Sequence, residues 1–299
     1  MTGALASLAS AALWAFASTR YALASRTLGS ARTNLARATT VMPLFAVATL
    51  VTTGGHPLHD ITSTRAAWLF MSVVCAYAFA DNVFFAAARR VGITTALAIA
   101  SSYPLWSAVA GALWRGERFG LARAGGTVLC VGGVIALIVL APQAAGEHAH
   151  AGSNRREARE GIALALLTSI LWAGNTVAVK MGGTGLDPWH ANLIRFCFAW
   201  PILAATSLAT RRPTADDGEA RATYKALIPV SLAEACVGSS LFVYGLAHTD
   251  LAVGATLSSL APLMSVPFAL FYREERWSLP RFMAVFATVA GIVVLVTGA

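Results

Sequence analysis

Apolar residues dominate ten stretches of the chain, each 19 to 21 residues long. They cover residues 3–23, 34–52, 67–87, 93–113, 121–141, 161–181, 189–209, 226–246, 252–272 and 280–298. A helix of that length and composition can cross a bilayer. Because lipid offers the backbone no hydrogen-bond partner, each stretch is predicted to be helical. The pattern therefore predicts an all-α integral membrane protein with ten transmembrane helices.

The second half of the chain repeats the first at an offset of 158 residues. When residues 100–121 are laid on residues 258–279, eight of the 22 positions are identical. Identical pairs along the chain include Trp14/Trp172, Arg37/Arg195, Pro104/Pro262 and Glu117/Glu275. Each repeat holds five candidate spans, and an odd number of spans turns the second copy upside down. We predict two inverted five-helix repeats, over 1–141 and 161–299, joined by a linker over 142–160. Inverted repeats are typical of secondary transporters, whose site lies near the midplane between them.

Composition supports the membrane assignment and argues against other classes. The chain is 57% apolar and 12% charged, with a mean hydropathy of +0.65, whereas a soluble domain carries about 25% charged residues. The net charge of +8 does not indicate nucleic-acid binding, because the arginines are spread over loop ends and form no basic face. The four cysteines have neither disulfide nor metal spacing. We expect no metal and no cofactor, and partners that are a small-molecule solute and the lipid bilayer.

Two equivalent spans contain a proline, at Pro104 and Pro262. Each proline removes one backbone hydrogen bond and can kink or break its helix. The serines just before them can satisfy the freed backbone groups. Two interpretations stay open, ordinary packing distortion and a broken helix beside a site.

Four segments carry a resemblance to a known family. They are SSYPLWSAVAGALWRGERF (101–119), SSLAPLMSVPFALFYREERW (258–277), ILWAGNTVAVK (170–180) and ANLIRF (191–196). Their order resembles the drug/metabolite transporter (DMT) superfamily, specifically its EamA-type ten-helix carriers, over essentially the full chain. The resemblance implies a gradient-driven carrier of small metabolites or drugs, often an exporter, in the cell (inner) membrane.

The first repeat departs from the family pattern at one place. Arg20 and Tyr21 stand where the second repeat has Ala178 and Val179, and no lysine matches Lys180.

Two carboxylates lie deep inside predicted spans. Asp81 stands beside Asn82 in span 3, and Glu234 stands in span 8. Ionisable residues at such depth are costly and usually face a cavity or a partner. A carboxylate that loses its water there can take up and release protons. We therefore predict that Asp81 and Glu234 couple transport to a proton gradient, while a structural salt bridge or hydrogen bond is the alternative for each.

Aromatic and amide side chains at mid-span depth complete the predicted solute site. Trp14 and Trp172 are the symmetric pair of the two repeats, and an indole N–H inside hydrocarbon needs a partner. The predicted substrate-binding residues are this tryptophan pair, the polar residues Asp81, Asn82 and Glu234, and the further residues Tyr77, Tyr103, Asn175 and Tyr244. An aromatic wall with few polar groups is typical of a small-molecule pocket. Core packing is the alternative interpretation.

Three cations near predicted span ends allow more than one role. Arg37 and Arg195 begin spans 2 and 7. They either reach the interface along their stems, bind an anionic group of the solute, or pair with Asp81 or Glu234. Lys180 ends span 6, and we expect it to reach the interface. Glu117 and its equivalent in the second repeat are expected to form local ion pairs at the membrane surface.

Two other function classes fit the sequence less well than a carrier. A membrane-embedded enzyme usually shows a histidine cluster or a nucleophile motif, and no span contains either. A receptor or structural protein gains nothing evident from an inverted duplicate. We therefore predict a non-enzymatic carrier.

Overall fold

The computed structural model describes residues 1–54, 60–91, 93–117, 120–140, 155–210, 216–261, 263–264 and 279–297. Within these ranges all regular structure is helical. The α-helices are α1 Thr2–Leu28, α2 Ser30–Thr52, α3 Ser63–Val73, α4 Asp81–Val91, α5 Ile93–Ala100, α6 Tyr103–Arg115, α7 Leu121–Val139, α8 Arg155–Gly183, α9 Pro188–Ala209, α10 Asp217–Ser231, α11 Ser239–Ala247, α12 Leu251–Ser258 and α13 Leu279–Thr297. Two π-helical segments, π1 Val74–Ala80 and π2 Leu232–Gly238, connect α3 to α4 and α10 to α11.

Several helical stretches, two of which join consecutive elements (α5 with α6, and α10 with π2 and α11), are long and apolar enough to cross a membrane. Among the described residues six meet both criteria: Ser30–Thr52, Ala96–Trp114, Leu121–Val139, Arg155–Gly183, Pro188–Ala209 and Asp217–Ala247. Thr2–Ser18 and Phe282–Thr297 are shorter apolar helices. The protein is therefore a multi-pass, all-helical membrane protein, and the count of ten spans stays a prediction.

The helix bounds repeat at the offset found in the sequence. Helices α7 and α13 begin at Leu121 and Leu279 and end at Val139 and Thr297, each 158 residues apart. Helices α5 and α12, and segments π1 and π2, are related by the same offset at both ends. The local structure thus follows the repeat, whereas the inverted orientation of the second copy stays a prediction.

The proline-containing span of the first repeat is a broken helix. Helix α5 ends at Ala100, and α6 begins at Tyr103 with Pro104 in its first turn. Proline is favoured there because a first-turn N–H has no partner within the helix. The helix is therefore interrupted at this proline, whether the break serves a site stays a prediction, and Pro262 lies outside the described residues.

The chain divides into two compact units, and each contains parts of both repeats. The first unit comprises residues 1–73 and 178–248, and the second comprises residues 74–177 and 249–299. In the first unit, one stripe of α1 (Ala17, Tyr21, Ala24 and Leu28) packs against Leu227 and Val230 of α10. Residues spaced in this way lie on one face of a helix, so the sequence of α1 determines that Tyr21 points into the unit.

The second unit contains a close helix pair, α7 and α13. A Cβ atom added to Gly133 would lie 2.8 Å from the backbone N of Thr288, and one added to Gly291 would lie 2.6 Å from the N of Cys130. Small residues permit such backbone approach, which is how membrane helices gain packing contacts. The pair therefore depends on glycine at these positions.

Candidate functional site

Glu234 lies in the π2 segment, inside the first unit. Its residue exposure is 5%. Single π-helical turns inside α-helices are often found at functional sites. The local backbone therefore sets Glu234 apart from the regular helix on either side.

Each oxygen of the Glu234 carboxylate accepts a hydrogen bond from a different helix. Arg37 of α2 donates from Nη2 to Oε1 at 2.8 Å, and the Tyr21 hydroxyl of α1 donates to Oε2 at 3.0 Å. The Arg37 and Glu234 side chains are 11% and 7% exposed. Three helical segments thus meet at one buried ion pair.

Two aromatic rings flank the guanidinium of this pair. The Arg37 Cζ atom lies 5.0 Å from the ring centroid of Tyr21 and 5.5 Å from that of Trp14. The two ring centroids are 6.3 Å apart. A cation over an aromatic face is attracted to it by about 0.5–2 kcal/mol. Trp14 is itself 43% exposed, so part of its indole surface stays accessible.

The cluster of Trp14, Tyr21, Arg37 and Glu234 can hold two different net charges. With Glu234 ionised, the pair is neutral as a whole and each charge has a hydrogen-bonded partner. When Glu234 takes up a proton, its ion pair with Arg37 is lost inside the unit, which is costly unless another group replaces the carboxylate. This arrangement suits a site that exchanges a proton against another ligand.

A second aromatic cluster lies in the second unit. The Trp172 ring stands edge-on to that of Tyr103, with centroids 6.1 Å apart, and lies 5.7 Å from that of Phe84. The Tyr103 hydroxyl donates to the Ala255 carbonyl at 3.2 Å. The break between α5 and α6 places Tyr103 at the start of its helix.

The structure brings some of the predicted residues together within a unit. Trp14 lies with Glu234 in the first unit, and Tyr103 lies with Trp172 in the second. Asn175 follows Trp172 by one turn of α8 and is half-buried, and Tyr77 is half-buried in π1. Asp81 and Asn82 begin α4, directly after π1, and their side chains lie outside the description.

Tyr244 does not join the Glu234 cluster in the described contacts. It lies in the last turn of α11, where its ring stacks on the exposed His248 with centroids 4.0 Å apart. It stands ten residues beyond Glu234, which is about 15 Å along a helix. Its surroundings are therefore those of a helix end.

Sequence reasoning missed Tyr21 and left the role of Arg37 open. The structure selects the pairing with Glu234 among the alternatives for Arg37. Tyr21 carried a signal that could have been used, because it follows Trp14 by seven residues and so lies on the same helix face.

The expectation for Lys180 was wrong. Its residue exposure is 4%, and its Nζ donates to the Leu246 carbonyl at 3.1 Å. The Lys180 ammonium thus binds a helix-end carbonyl inside the unit and does not reach the membrane interface. Arg195 is likewise buried and donates to Ser72 Oγ at 3.0 Å and to Asn192 Oδ1 at 3.1 Å.

Among the described residues no group of three histidine, cysteine, aspartate or glutamate side chains could hold a metal ion. The polar chemistry of the described part of the chain therefore centres on ion pairs and hydrogen bonds.

Comparison with known proteins identifies the family and the fold. None of the curated proteins matches the sequence. A crystal structure of a protein with 18% sequence identity matches with a TM-score of 0.74, over 100% of this chain and 97% of that chain. At that identity the likeness concerns the fold alone. The model of the EamA-like transporter family matches twice, over residues 1–139 and 159–297. The resemblance seen in the sequence is thereby confirmed, and the chain belongs to the EamA-like transporter family, whose members are membrane transporters of the DMT type.

Proposed function

We propose that this transporter is a secondary carrier that exports a small organic metabolite or drug across the cell (inner) membrane in exchange for protons. The observation that supports this most directly is the buried Arg37–Glu234 ion pair, with N and O atoms 2.8 Å apart. Ionisable residues within spans usually serve an ion or substrate pathway. A pair that changes net charge when it takes up a proton provides the coupling element that such a carrier needs.

Glu234 acts as the coupling carboxylate in this proposal. Export against a gradient requires that the proton and the solute compete for the same group, so that each leaves when the other arrives. The carboxylate is the one acidic group of the cluster, and its two oxygens contact Arg37 and Tyr21. Solute or proton binding must therefore break contacts that hold α1, α2 and π2 together, which links occupancy to helix movement.

Asp81 is the second proposed coupling group. It directly follows π1, which is the repeat counterpart of the segment that contains Glu234. Trp14, Tyr77, Asn82, Tyr103, Trp172, Asn175 and Tyr244 remain the proposed solute contacts. The half-exposed indole of Trp14 beside the ion pair supports such a contact, because an apolar surface next to paired charges is typical of pockets for small organic molecules.

Transport in proteoliposomes tests the proposal. A panel of small metabolites and drugs is first screened for thermal stabilisation of the purified protein, and the strongest binder is used as the transported solute. Vesicles with an imposed pH gradient should accumulate this solute, and the Glu234→Gln variant should lose accumulation while it still equilibrates the solute. The Glu160→Gln variant is the matched control, because Glu160 is 46% exposed on α8 and should leave accumulation unchanged.

Two results would overturn the proposal. A parent protein that binds a solute but moves none across the vesicle membrane would exclude a carrier. If both Glu234→Gln and Asp81→Asn accumulate the solute like the parent, the proposed coupling groups are wrong.

A further inference from the structure

The turn after α6 is tied to the beginning of α12 by a carboxylate. Glu117 accepts a hydrogen bond at Oε2 from the Leu251 N–H at 2.7 Å. Leu251 is the first residue of α12, where backbone N–H groups have no partner within the helix. A carboxylate at this place also interacts favourably with the helix dipole. Glu117 therefore caps α12 from the turn after α6, a role that the sequence did not indicate.

Two glycines make this cap possible. Gly116 ends α6 with a positive φ of 62°, and the Glu117 N–H bonds back to the Gly111 carbonyl at 3.2 Å. This turn places the Glu117 side chain beside Gly111. A Cβ atom on Gly111 would lie 2.5 Å from Glu117 Oε2, so the carboxylate occupies the space that a side chain there would fill.

A second contact ties the same two elements. Arg123, in the first turn of α7, forms an ion pair with Asp250, the residue that precedes α12. The end of α6, the start of α7 and the start of α12 thus meet at one end of the second unit. We name the set Gly111, Gly116, Glu117, Arg123, Asp250 and Leu251 the α12 clamp.

The second repeat keeps only part of this set. At the offset of 158 residues, Glu117 and Arg123 correspond to Glu275 and Arg281. The equivalents of Gly111, Gly116 and Asp250 are Ala269, Glu274 and Gly92. At Gly111 itself an alanine methyl would fill the space that the carboxylate needs, and at Gly116 the left-handed backbone costs roughly 1–2 kcal/mol for a residue other than glycine. The two repeats therefore share the glutamate and the arginine but not the two glycines or the aspartate.

We infer that the α12 clamp is a latch, which holds one end of the second unit closed. This rests on the proposed function, because a carrier with alternating access must open its two ends in turn. A latch at one end makes the two states unequal in free energy. The resting carrier then favours the state that is closed at Glu117, and transport begins from the other side.

Exposure of the start of α12 tests the latch without any solute. Ala252, in the first turn of α12, is 3% exposed. An Ala252→Cys reporter in the full chain is labelled with a charged maleimide in detergent, and peptide mass spectrometry reads the labelling rate at this position alone. Glu117→Ala should raise the rate roughly tenfold, the size expected for loss of a hydrogen bond to a charged group.

Two further variants separate the latch from a general loosening. Gly111→Ala displaces the carboxylate while it favours the helix, so it should raise the rate similarly even if Glu117→Ala folds poorly. Glu275→Ala, at the equivalent position of the second repeat, should leave the rate at the reporter unchanged.

The latch is overturned if Glu117→Ala and Gly111→Ala label at the parent rate, or if Glu275→Ala raises the rate equally. Faster labelling in a protein that transports no solute would support the latch and reject the proposed function, so the two failures are distinguishable.

Discussion

The Arg37–Glu234 pair allows a quantitative test by a double-mutant cycle. The variants are Arg37→Leu, Glu234→Leu and the two together. Each single variant leaves one buried charge without its ion-pair partner, which costs about 3–5 kcal/mol in folded proteins. The Tyr21 hydroxyl still donates to Glu234 when Arg37 is absent, so we expect Arg37→Leu to cost about 3 kcal/mol, at the lower end of that range.

The double variant should be far less harmful than the sum of the two. Replacement of a buried ion pair by apolar side chains is often neutral or stabilising. We therefore expect an interaction free energy of about 3 kcal/mol or more between the two positions. Since 1 kcal/mol corresponds to about 2–4 °C in larger domains, Arg37→Leu should lower Tm by roughly 6–12 °C and Glu234→Leu by roughly 6–20 °C.

The free energy of unfolding is measured by denaturant titration in mixed micelles, with far-ultraviolet circular dichroism as the signal. The pair Arg90–Glu160 is the matched control, because its N and O atoms are 3.6 Å apart and its side chains are 36% and 46% exposed. A surface pair of this kind contributes about 0–1 kcal/mol. If the double variant at Arg37 and Glu234 costs as much as the two singles added together, the two side chains act independently and the buried pair does not hold the cluster.

Two further predictions concern the second unit. Gly133→Ala should lower Tm by several degrees, because the added methyl overpacks α7 against α13 (about 1–3 kcal/mol). Gly132→Ala is the control, because a Cβ added there has no atom within 4 Å, and it should leave Tm unchanged or raise it. Equal effects of the two variants would contradict the close helix packing. Tyr103→Phe removes the hydrogen bond to Ala255 and keeps the ring contact with Trp172, so thermal unfolding should show a loss of about 1 kcal/mol in the free energy of unfolding. Tyr103→Leu, which also removes the ring, should lose more. Equal losses for the two variants would contradict a contribution of the ring contact.

Local structure and family could be predicted from the sequence because they depend on patterns along the chain. The predicted spans 121–141 and 280–298 agree with α7 and α13 to within two residues at each end, and Pro104 marked the break before α6. The family followed from motifs spread over both halves. Each of these features is encoded by neighbouring residues, so no knowledge of distant contacts is needed.

The partners of the buried charges could not be predicted because they depend on distant contacts. Arg37 and Glu234 are 197 positions apart in the sequence, and three outcomes were compatible with an arginine at a span end. Lys180 shows the same difficulty, since nothing near it in the sequence indicates that its ammonium donates a hydrogen bond to the Leu246 carbonyl. The cap that Glu117 forms on Leu251 could not be predicted either, because it requires a helix from the other repeat.

The two π-helical segments do not depend on any particular side chain. Segments π1 and π2 occupy the same seven positions of the two repeats, yet no position has the same residue in both, as VCAYAFA and LAEACVG show. A proline precedes Glu234 at Pro229, but the first repeat has Met71 at the equivalent place, so proline is not the common cause. The wide turn therefore forms in both repeats without a side chain in common. The carboxylate at position 234 stands on a backbone distortion that the other repeat forms with Ala76 at the same place, so replacing Glu234 need not remove the distortion.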